Sequence, residues 1–128
     1  MNYFVTGSTG FLGKYVVEQL LLNGHKVKAN YRNNEENIYK KQQILWIKKD
    51  LLKIDKNDLK NIDILINLAS AGVSPKKTTL EEAININILG ASKLLKIGAS
   101  CGVKRFIYAG TCHEYGNSAN KFDHIPPD

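Results

Sequence analysis

Three regularly spaced glycines near the start of the chain constrain its fold more than any other feature. They follow the segment 3–6, which is short, apolar and rich in residues that favour strands, so we predict a buried strand there. Gly7 allows a tight turn off this strand, Gly10 leaves the backbone open to a ligand, and Gly13 lets a helix pack closely on the strand. Apolar residues at helical spacing begin at Phe11. The chain is therefore predicted to open with a strand, a glycine loop and a helix.

This order of elements is typical of a phosphate-binding site, because a helix N-terminus presents free N–H groups and a positive dipole end. The spacing Gly-x-x-Gly-x-x-Gly differs from that of the simplest dinucleotide loops, and an ordinary glycine-rich turn is the alternative. The position directly after an N-terminal strand favours the dinucleotide site. The residues expected to contact the ligand are Gly7, Ser8, Thr9, Gly10, Phe11, Leu12 and Gly13.

Further strands and helices alternate along the chain. Strands are predicted at 26–31, 44–48, 62–69 and 105–109, and a long helix is predicted to begin after two threonines that resemble capping-box residues, Thr78 and Thr79. The apolar stripe of that helix is expected at Ile84, Asn87, Ala91, Leu94, Gly98 and Cys101. Alternation of this kind predicts an α/β fold, in which a doubly wound parallel sheet carries helices on both faces.

Composition excludes several classes of protein. The 128 residues suffice for one domain, and neither a membrane-spanning run nor a secretory signal is recognisable. The net charge of +6 comes from scattered lysines without a basic run, which favours a solvated surface over binding to nucleic acid. Cys101 and Cys112 indicate neither a disulfide framework nor a metal site, so a cytoplasmic location is expected.

The loop Thr6–Gly13 resembles the signature loop of the extended short-chain dehydrogenases/reductases, the NAD(P)-dependent epimerase/dehydratase family. Other segments resemble that family in the same order along the chain: Asp50–Leu51, Asn67–Ser70, Asn87 and the stretch 105–116. The resemblance implies a Rossmann-type sheet with strand order 3-2-1-4-5. It also implies cofactor contacts from Asp50, Leu51, Leu68, Ala69, Ser70 and Asn87, a catalytic hydroxyl at Thr111, and a nucleotide sugar as substrate.

The chain departs from the family pattern in three places. Asn67 replaces a histidine, Gly110–Thr111 replaces a pair of serines, and the Tyr-x-x-x-Lys motif is absent. In the family the tyrosine is the general acid/base, while the lysine lowers its pKa and holds the nicotinamide ribose. We therefore expect residues 1–128 to be the cofactor-binding domain of a longer protein, truncated before the substrate domain and inactive or nearly so alone.

The residues around the end of the second strand bear on the choice of cofactor. An acidic residue there binds the ribose of NAD, whereas basic residues accommodate the 2′-phosphate of NADP. Lys28 and Arg32 flank Tyr31 in a pattern that resembles the Arg-x-x-x-Arg of NADP-using reductases, and no acid occurs before Glu35. NADP is therefore the predicted cofactor, with NAD as the alternative. Ordinary surface charges are the other interpretation of Lys28 and Arg32.

Two classes of function agree with these features. The first is an oxidoreductase or isomerase that acts on a nucleotide sugar. The second is a non-catalytic NADP-binding sensor or partner-binding module. A sheet that ends at strand five would also expose that strand's edge, so self-association through the edge is expected.

Overall fold

A five-stranded parallel sheet organises the protein. The computed structural model describes residues 1–32, 44–72 and 78–110. The strands are β1 (Asn2–Thr6), β2 (Lys26–Tyr31), β3 (Ile44–Lys48), β4 (Ile64–Asn67) and β5 (Arg105–Tyr108). Their order is β3-β2-β1-β4-β5 and every neighbouring pair is parallel, which confirms the predicted fold class and strand order. The fourth strand is shorter than the predicted 62–69, since only its central residues form ladder pairs.

Each strand directs apolar side chains to both faces of the sheet. Helices therefore cover both faces. Helix α1 (Phe11–Leu22) packs Val17 against one face, which includes Val5 and Ala29. The opposite face carries Phe4 and Leu65 under the second helical segment. The two cores meet only through the sheet, so the loops at its carboxyl edge are fixed from both sides.

The second helical segment is one continuous run in three parts: α2 (Leu80–Ala83), a π-helical stretch (Ile84–Gly90) and α3 (Ala91–Ser100). Thr79 begins it as predicted, since its hydroxyl accepts the Glu82 N–H at 3.1 Å. The predicted apolar stripe is wrong in its first half. Ile86 is buried, whereas Ile84 is 38% exposed and Asn87 is exposed. The π-helical stretch contains more residues per turn than an α-helix, which rotates these side chains away from the faces that regular spacing gives them.

No helix in the described ranges is long and apolar enough to cross a bilayer. Those ranges also hold no group of three or more His, Cys, Asp or Glu side chains that could bind a metal ion.

Candidate functional site

The glycine loop lies against the loop that follows β4. Gly7 has a φ of +65°, and a Cβ added to it would stand 2.6 Å from the carbonyl carbon of Leu68 and 2.7 Å from the Ala69 nitrogen. A Cβ at Gly13 would overlap the carbonyl oxygen of Gly7, so the first turn of α1 packs directly on the loop. The backbone contacts therefore require glycine at positions 7 and 13, as the sequence predicted.

The N-terminus of α1 carries no side-chain cap. Gly10 is its N-cap, and neither a capping side chain nor an acidic residue in the first turn offsets the positive end of the helix. The side chains of Phe11 and Leu12 are 85% and 53% exposed, so they do not cover these N–H groups with a packed layer. A Cβ at Gly10 would meet only the Gly7 carbonyl, at 3.1 Å. This end of the helix fits a pyrophosphate.

Ser8 braces the loop from below, which its predicted role as a ligand contact did not foresee. It is fully buried, and its hydroxyl donates to the carbonyl oxygen of Asn30 at 2.7 Å. The Asn30 amide then donates to the Lys49 carbonyl at 3.1 Å, which ties the glycine loop to the end of β3. The side chain of Ser8 is therefore committed to the protein, whereas Thr9 is half-buried beside it.

The loop after β4 forms the neighbouring wall. The Leu68 N–H donates to the Thr6 carbonyl at 3.2 Å, Ala69 packs against the α3-side core, and Ser70 is exposed. The Asn87 carboxamide holds this loop through two bonds to Ala71, accepting its N–H at 2.8 Å and donating to its carbonyl at 2.9 Å. Asn87 thus braces the loop after β4 from an exposed position.

Asp50 and Leu51 lie at the end of β3, where the family pattern places an adenine contact. One carboxylate oxygen of Asp50 accepts the Leu52 N–H at 3.2 Å and caps a short 3₁₀ turn, Leu51–Lys53. The Leu51 side chain is buried with Phe4 and Ile86 in the core. Leu51 is therefore a core residue, and within the described ranges only one oxygen of Asp50 has a hydrogen-bond partner.

Lys28 and Arg32, which the sequence predicts as contacts of a 2′-phosphate, lie in different surroundings. The Lys28 ammonium donates to the carbonyl oxygen of Asp58 at 2.8 Å, and the Asp58 carboxylate is bound by Lys49 at 2.7 Å. Lys28 is drawn to that turn because it lies on the face of β2 that Asp58 covers. Tyr31 packs edge-on against Trp46 at 6.1 Å, and Arg32 is exposed directly after β2.

The predicted catalytic hydroxyl, Thr111, lies outside the described residues. Two polar residues that the sequence did not single out lie at the same edge of the sheet. Thr6 and Tyr108 are the register partners of Asn67 on the strands that flank β4. Counting alternate residues along each strand would have placed all three on one face.

The comparison with protein families decides which family this arrangement belongs to. The model of the NAD dependent epimerase/dehydratase family matches residues 3–127. The chain belongs to this family. The resemblance drawn from the glycine loop and the later landmarks is thereby confirmed.

Individual members of the family are similar over nearly the whole chain. The dTDP-6-deoxy-L-talose 4-dehydrogenase (NAD(+)) of Aggregatibacter actinomycetemcomitans is 31% identical over 132 residues, which cover 99% of this chain and 47% of that protein. The solved structure of MoeE5 in complex with UDP-glucuronic acid and NAD has a TM-score of 0.79 at 30% identity, over 91% of this chain and 38% of that one. A UDP-glucose 4-epimerase of Thermotoga maritima, solved with UDP-glucose, has a TM-score of 0.74 at 26% identity, over 87% and 38%. The chain thus spans less than half the length of these relatives.

Proposed function

We propose that residues 1–128 form the NAD(P)-binding domain of a longer oxidoreductase or isomerase that acts on a nucleotide sugar. The observation that carries this proposal is the uncapped N-terminus of α1, with Gly7 in contact with Leu68 on one side and a bare backbone at Gly10 on the other. Backbone N–H groups of the first turn would bind the pyrophosphate. The remaining oxygen of Asp50 and the loop 68–71 would contact the two ends of the dinucleotide.

The substrate class is inferred from the relatives. The talose dehydrogenase carries a dTDP-sugar in its name, and MoeE5 was solved with UDP-glucuronic acid. Both relatives are similar to this chain over the part that carries the glycine loop. This similarity supports a nucleotide sugar as the substrate class, but it does not distinguish an epimerase from a dehydratase or a reductase.

Catalysis needs groups that these 128 residues lack. No tyrosine in them is followed by a lysine four residues later. When bound, the nicotinamide would supply hydride transfer, and Thr111 would hold a substrate oxygen by a hydrogen bond. We expect this chain to bind the cofactor and to turn over a nucleotide sugar at a negligible rate by itself.

A fluorescence titration tests the proposal. The purified chain is titrated with NADH and NADPH, and ADP-ribose competes for the same site because it retains the pyrophosphate. Saturable binding that ADP-ribose reverses is expected for the wild type. The variant is Gly10→Val, which places a side chain at the proposed phosphate position, and the control is Ala99→Val, on the exposed surface of α3. Binding that is equally strong in Gly10→Val, or no binding to the folded wild type, would contradict the proposal.

A non-catalytic sensor or partner-binding module is the alternative. It predicts cofactor binding without turnover in every longer form of the protein. Steady turnover of a nucleotide sugar by a longer form would exclude it. A longer form that binds the cofactor but does not turn over a nucleotide sugar would support the alternative.

The preference for NADP over NAD depends on which basic side chains near the end of β2 can reach a 2′-phosphate. The hydrogen bond of Lys28 to Asp58 leaves Arg32 as the one member of the expected pair available to a 2′-phosphate. Arg32 favours NADP, but a single exposed charge contributes little. We expect tighter binding of NADPH than of NADH by less than about tenfold, equivalent to about 1.4 kcal/mol.

We also propose a homo-oligomer that forms through the edge of β5, with a location in the cytoplasm. In the part of the chain that the structure describes, no strand pairs with the outer edge of β5, and Ile107 and Tyr108 are 43% and 54% exposed there. Sedimentation of the wild type and of Ile107→Lys tests this surface. A dimer that Ile107→Lys dissociates is expected, and a monomer at high concentration contradicts it. Cell fractionation tests the location, and recovery in the membrane or secreted fraction contradicts it.

A further inference from the structure

Three polar side chains form a row across the carboxyl ends of three neighbouring strands. Thr6 of β1 is in register with Asn67 of β4, which is in register with Tyr108 of β5. Two positions before each of these residues, the same strand places an apolar side chain in the core under α3: Phe4, Leu65 and Phe106. Since side chains repeat every two residues along a strand, the row lies on the same face, directly beneath the glycine loop and the loop after β4.

The carboxamide at the centre of this row uses its two ends differently. The Thr6 hydroxyl donates to Oδ1 of Asn67, and both residues are almost completely buried, at 0% and 2% exposed. Within the described part of the chain, the buried Nδ2 group of Asn67 has no hydrogen-bond partner. Asn67 and Tyr108 line one cavity of about 230 Å³. Burial raises the pKa of Tyr108, and its interaction with Asn67 lowers it in part.

The row continues into the helix that holds the loop after β4. The Tyr108 hydroxyl donates to the backbone carbonyl of Asn87 at 3.4 Å. The side chain of Asn87 forms both of its bonds with Ala71. On the opposite side, the same loop rests on Gly7 through Leu68 and Ala69. Asn67 therefore lies between Thr6 and Tyr108 at the start of the loop 68–71, whose other end is held by Asn87.

We propose that Asn67 is a positioning residue of the cofactor groove, which fixes the loop 68–71 by accepting from Thr6 and donating towards Tyr108. The proposal rests on the proposed function, because the groove it fixes is the one assigned to the dinucleotide. A carboxamide has one acceptor end and one donor end, and a neutral imidazole offers the same pair. A carboxylate offers acceptors only, and a leucine of similar size offers neither.

These differences define a set of variants. Asn67→His keeps a donor and an acceptor, Asn67→Asp loses the donor, and Asn67→Leu loses both. Tyr108→Phe removes only the hydroxyl that reaches Asn87. The matched control is Tyr15→Phe, which removes the hydroxyl of an exposed tyrosine and keeps its ring contact with Phe11. Circular dichroism and thermal melting establish which variants fold.

Two measurements are made on the folded variants: the dissociation constant of NADH, and the exchange rate of the Ala71 amide by NMR in the absence of cofactor. For Asn67→Asp, Asn67→Leu and Tyr108→Phe we expect both to rise about tenfold, as the loss of one net hydrogen bond would give. Asn67→His and Tyr15→Phe are expected to stay within about threefold of the wild type. Failure of the wild type to bind NADH would overturn the proposed function. The exchange rate of the Ala71 amide would then still test whether Asn67 and Tyr108 hold the loop 68–71.

Two results would overturn the inference itself while the wild type binds NADH normally. One is unchanged Ala71 exchange in Tyr108→Phe and the folded Asn67 variants. The other is an Asn67→His that loses binding as fully as Asn67→Leu does, because the side chain would then act through its size rather than through its donor and acceptor. If neither Asn67→Leu nor Asn67→Asp folds, the comparison of Tyr108→Phe with Tyr15→Phe tests the proposal by the same two measurements.

Discussion

The backbones of Gly7 and Leu68 touch so closely that a Cβ at position 7 would stand 2.6 Å from both the carbonyl carbon and the carbonyl oxygen of Leu68. This contact joins the turn after β1 to the loop after β4, at the point where the order of the strands reverses. In open α/β sheets ligands bind at such a point. The contact therefore sets the width of the proposed cofactor groove.

Gly7→Ala is expected to destabilise the fold and to abolish cofactor binding. The methyl group would meet backbone atoms that cannot rotate aside, and the φ of +65° adds strain for any residue with a Cβ. Gly24→Ala is the matched control, because its φ is +72° but nothing lies within 4 Å of its Cβ. Chemical denaturation should show a cost of about 1 kcal/mol for Gly24→Ala and a clearly larger one for Gly7→Ala. Equal costs would mean that the contact with Leu68 is unimportant.

Gly10 and Gly13 are expected to separate folding from binding. A Cβ at Gly13 would overlap the Gly7 carbonyl, so Gly13→Ala should unfold the start of α1 and lower the melting temperature. Gly10→Ala meets the same oxygen at 3.1 Å and should fold with a small loss of stability. Because its methyl group would lie at the proposed pyrophosphate site, it should still weaken NADH binding. Melting curves and titrations measure the two effects, and a Gly10→Ala that binds like the wild type would argue against phosphate contact there.

Asp63 is expected to make stability depend on pH in the acidic range. Its carboxylate accepts the Asn2 backbone N–H at 2.9 Å and pairs with Lys104 at 3.0 Å, and these contacts hold its pKa below the ordinary 3.8. A pKa that folding lowers stabilises the protein above the unfolded value, and the contribution is lost as pH falls through the folded value.

Thermal melting of Asp63→Asn against the wild type measures this contribution. The variant should melt lower at pH 7, and the difference should shrink below about pH 4. Lys104→Gln is the companion variant, and it should cost less because the Asn2 N–H is the larger cause of the shift. A difference between wild type and Asp63→Asn that is the same at pH 7 and pH 3 would contradict the assignment.

Lys28→Met and Arg32→Met should affect different properties. Lys28 donates to the Asp58 carbonyl, so its loss should lower stability and leave the ratio of NADPH to NADH affinity unchanged. Arg32 is exposed after β2, so its loss should leave stability unchanged and remove the preference for NADPH. Paired titrations and melts test both variants. A change of cofactor ratio in Lys28→Met would support the joint contact of Lys28 and Arg32 with the 2′-phosphate that the sequence suggested.

Much of the fold and part of the site could be predicted from local patterns. The apolar runs gave the five strands, and the alternation of strands and helices gave a parallel sheet with both faces covered. Thr79 could be predicted as a helix cap because capping involves residues only three positions apart. The glycine loop was predictable for the same reason, since a strand, a turn and a helix N-terminus are adjacent in the chain.

Contacts between distant segments followed no such pattern. The π-helical stretch moved Ile84 out of the core and left Asn87 exposed, because a change of helical pitch is settled by packing against the sheet and Leu51. Lys28 bonds to Asp58, thirty residues away, because both lie on the same side of the sheet. Thr6 and Tyr108 gained importance only when the register placed them on either side of Asn67.

The sequence by itself determined that this chain opens with a strand, a glycine loop and a helix, and that Gly7, Gly10 and Gly13 leave its backbone bare. These properties depend on the identity of neighbouring residues and on the stereochemistry of each one. Only the tertiary structure decided what the bare backbone meets: Leu68 at Gly7, and the backbone of the glycine loop at Gly13. Such contacts depend on the strand order and register, which bring residues about sixty positions apart within bonding distance.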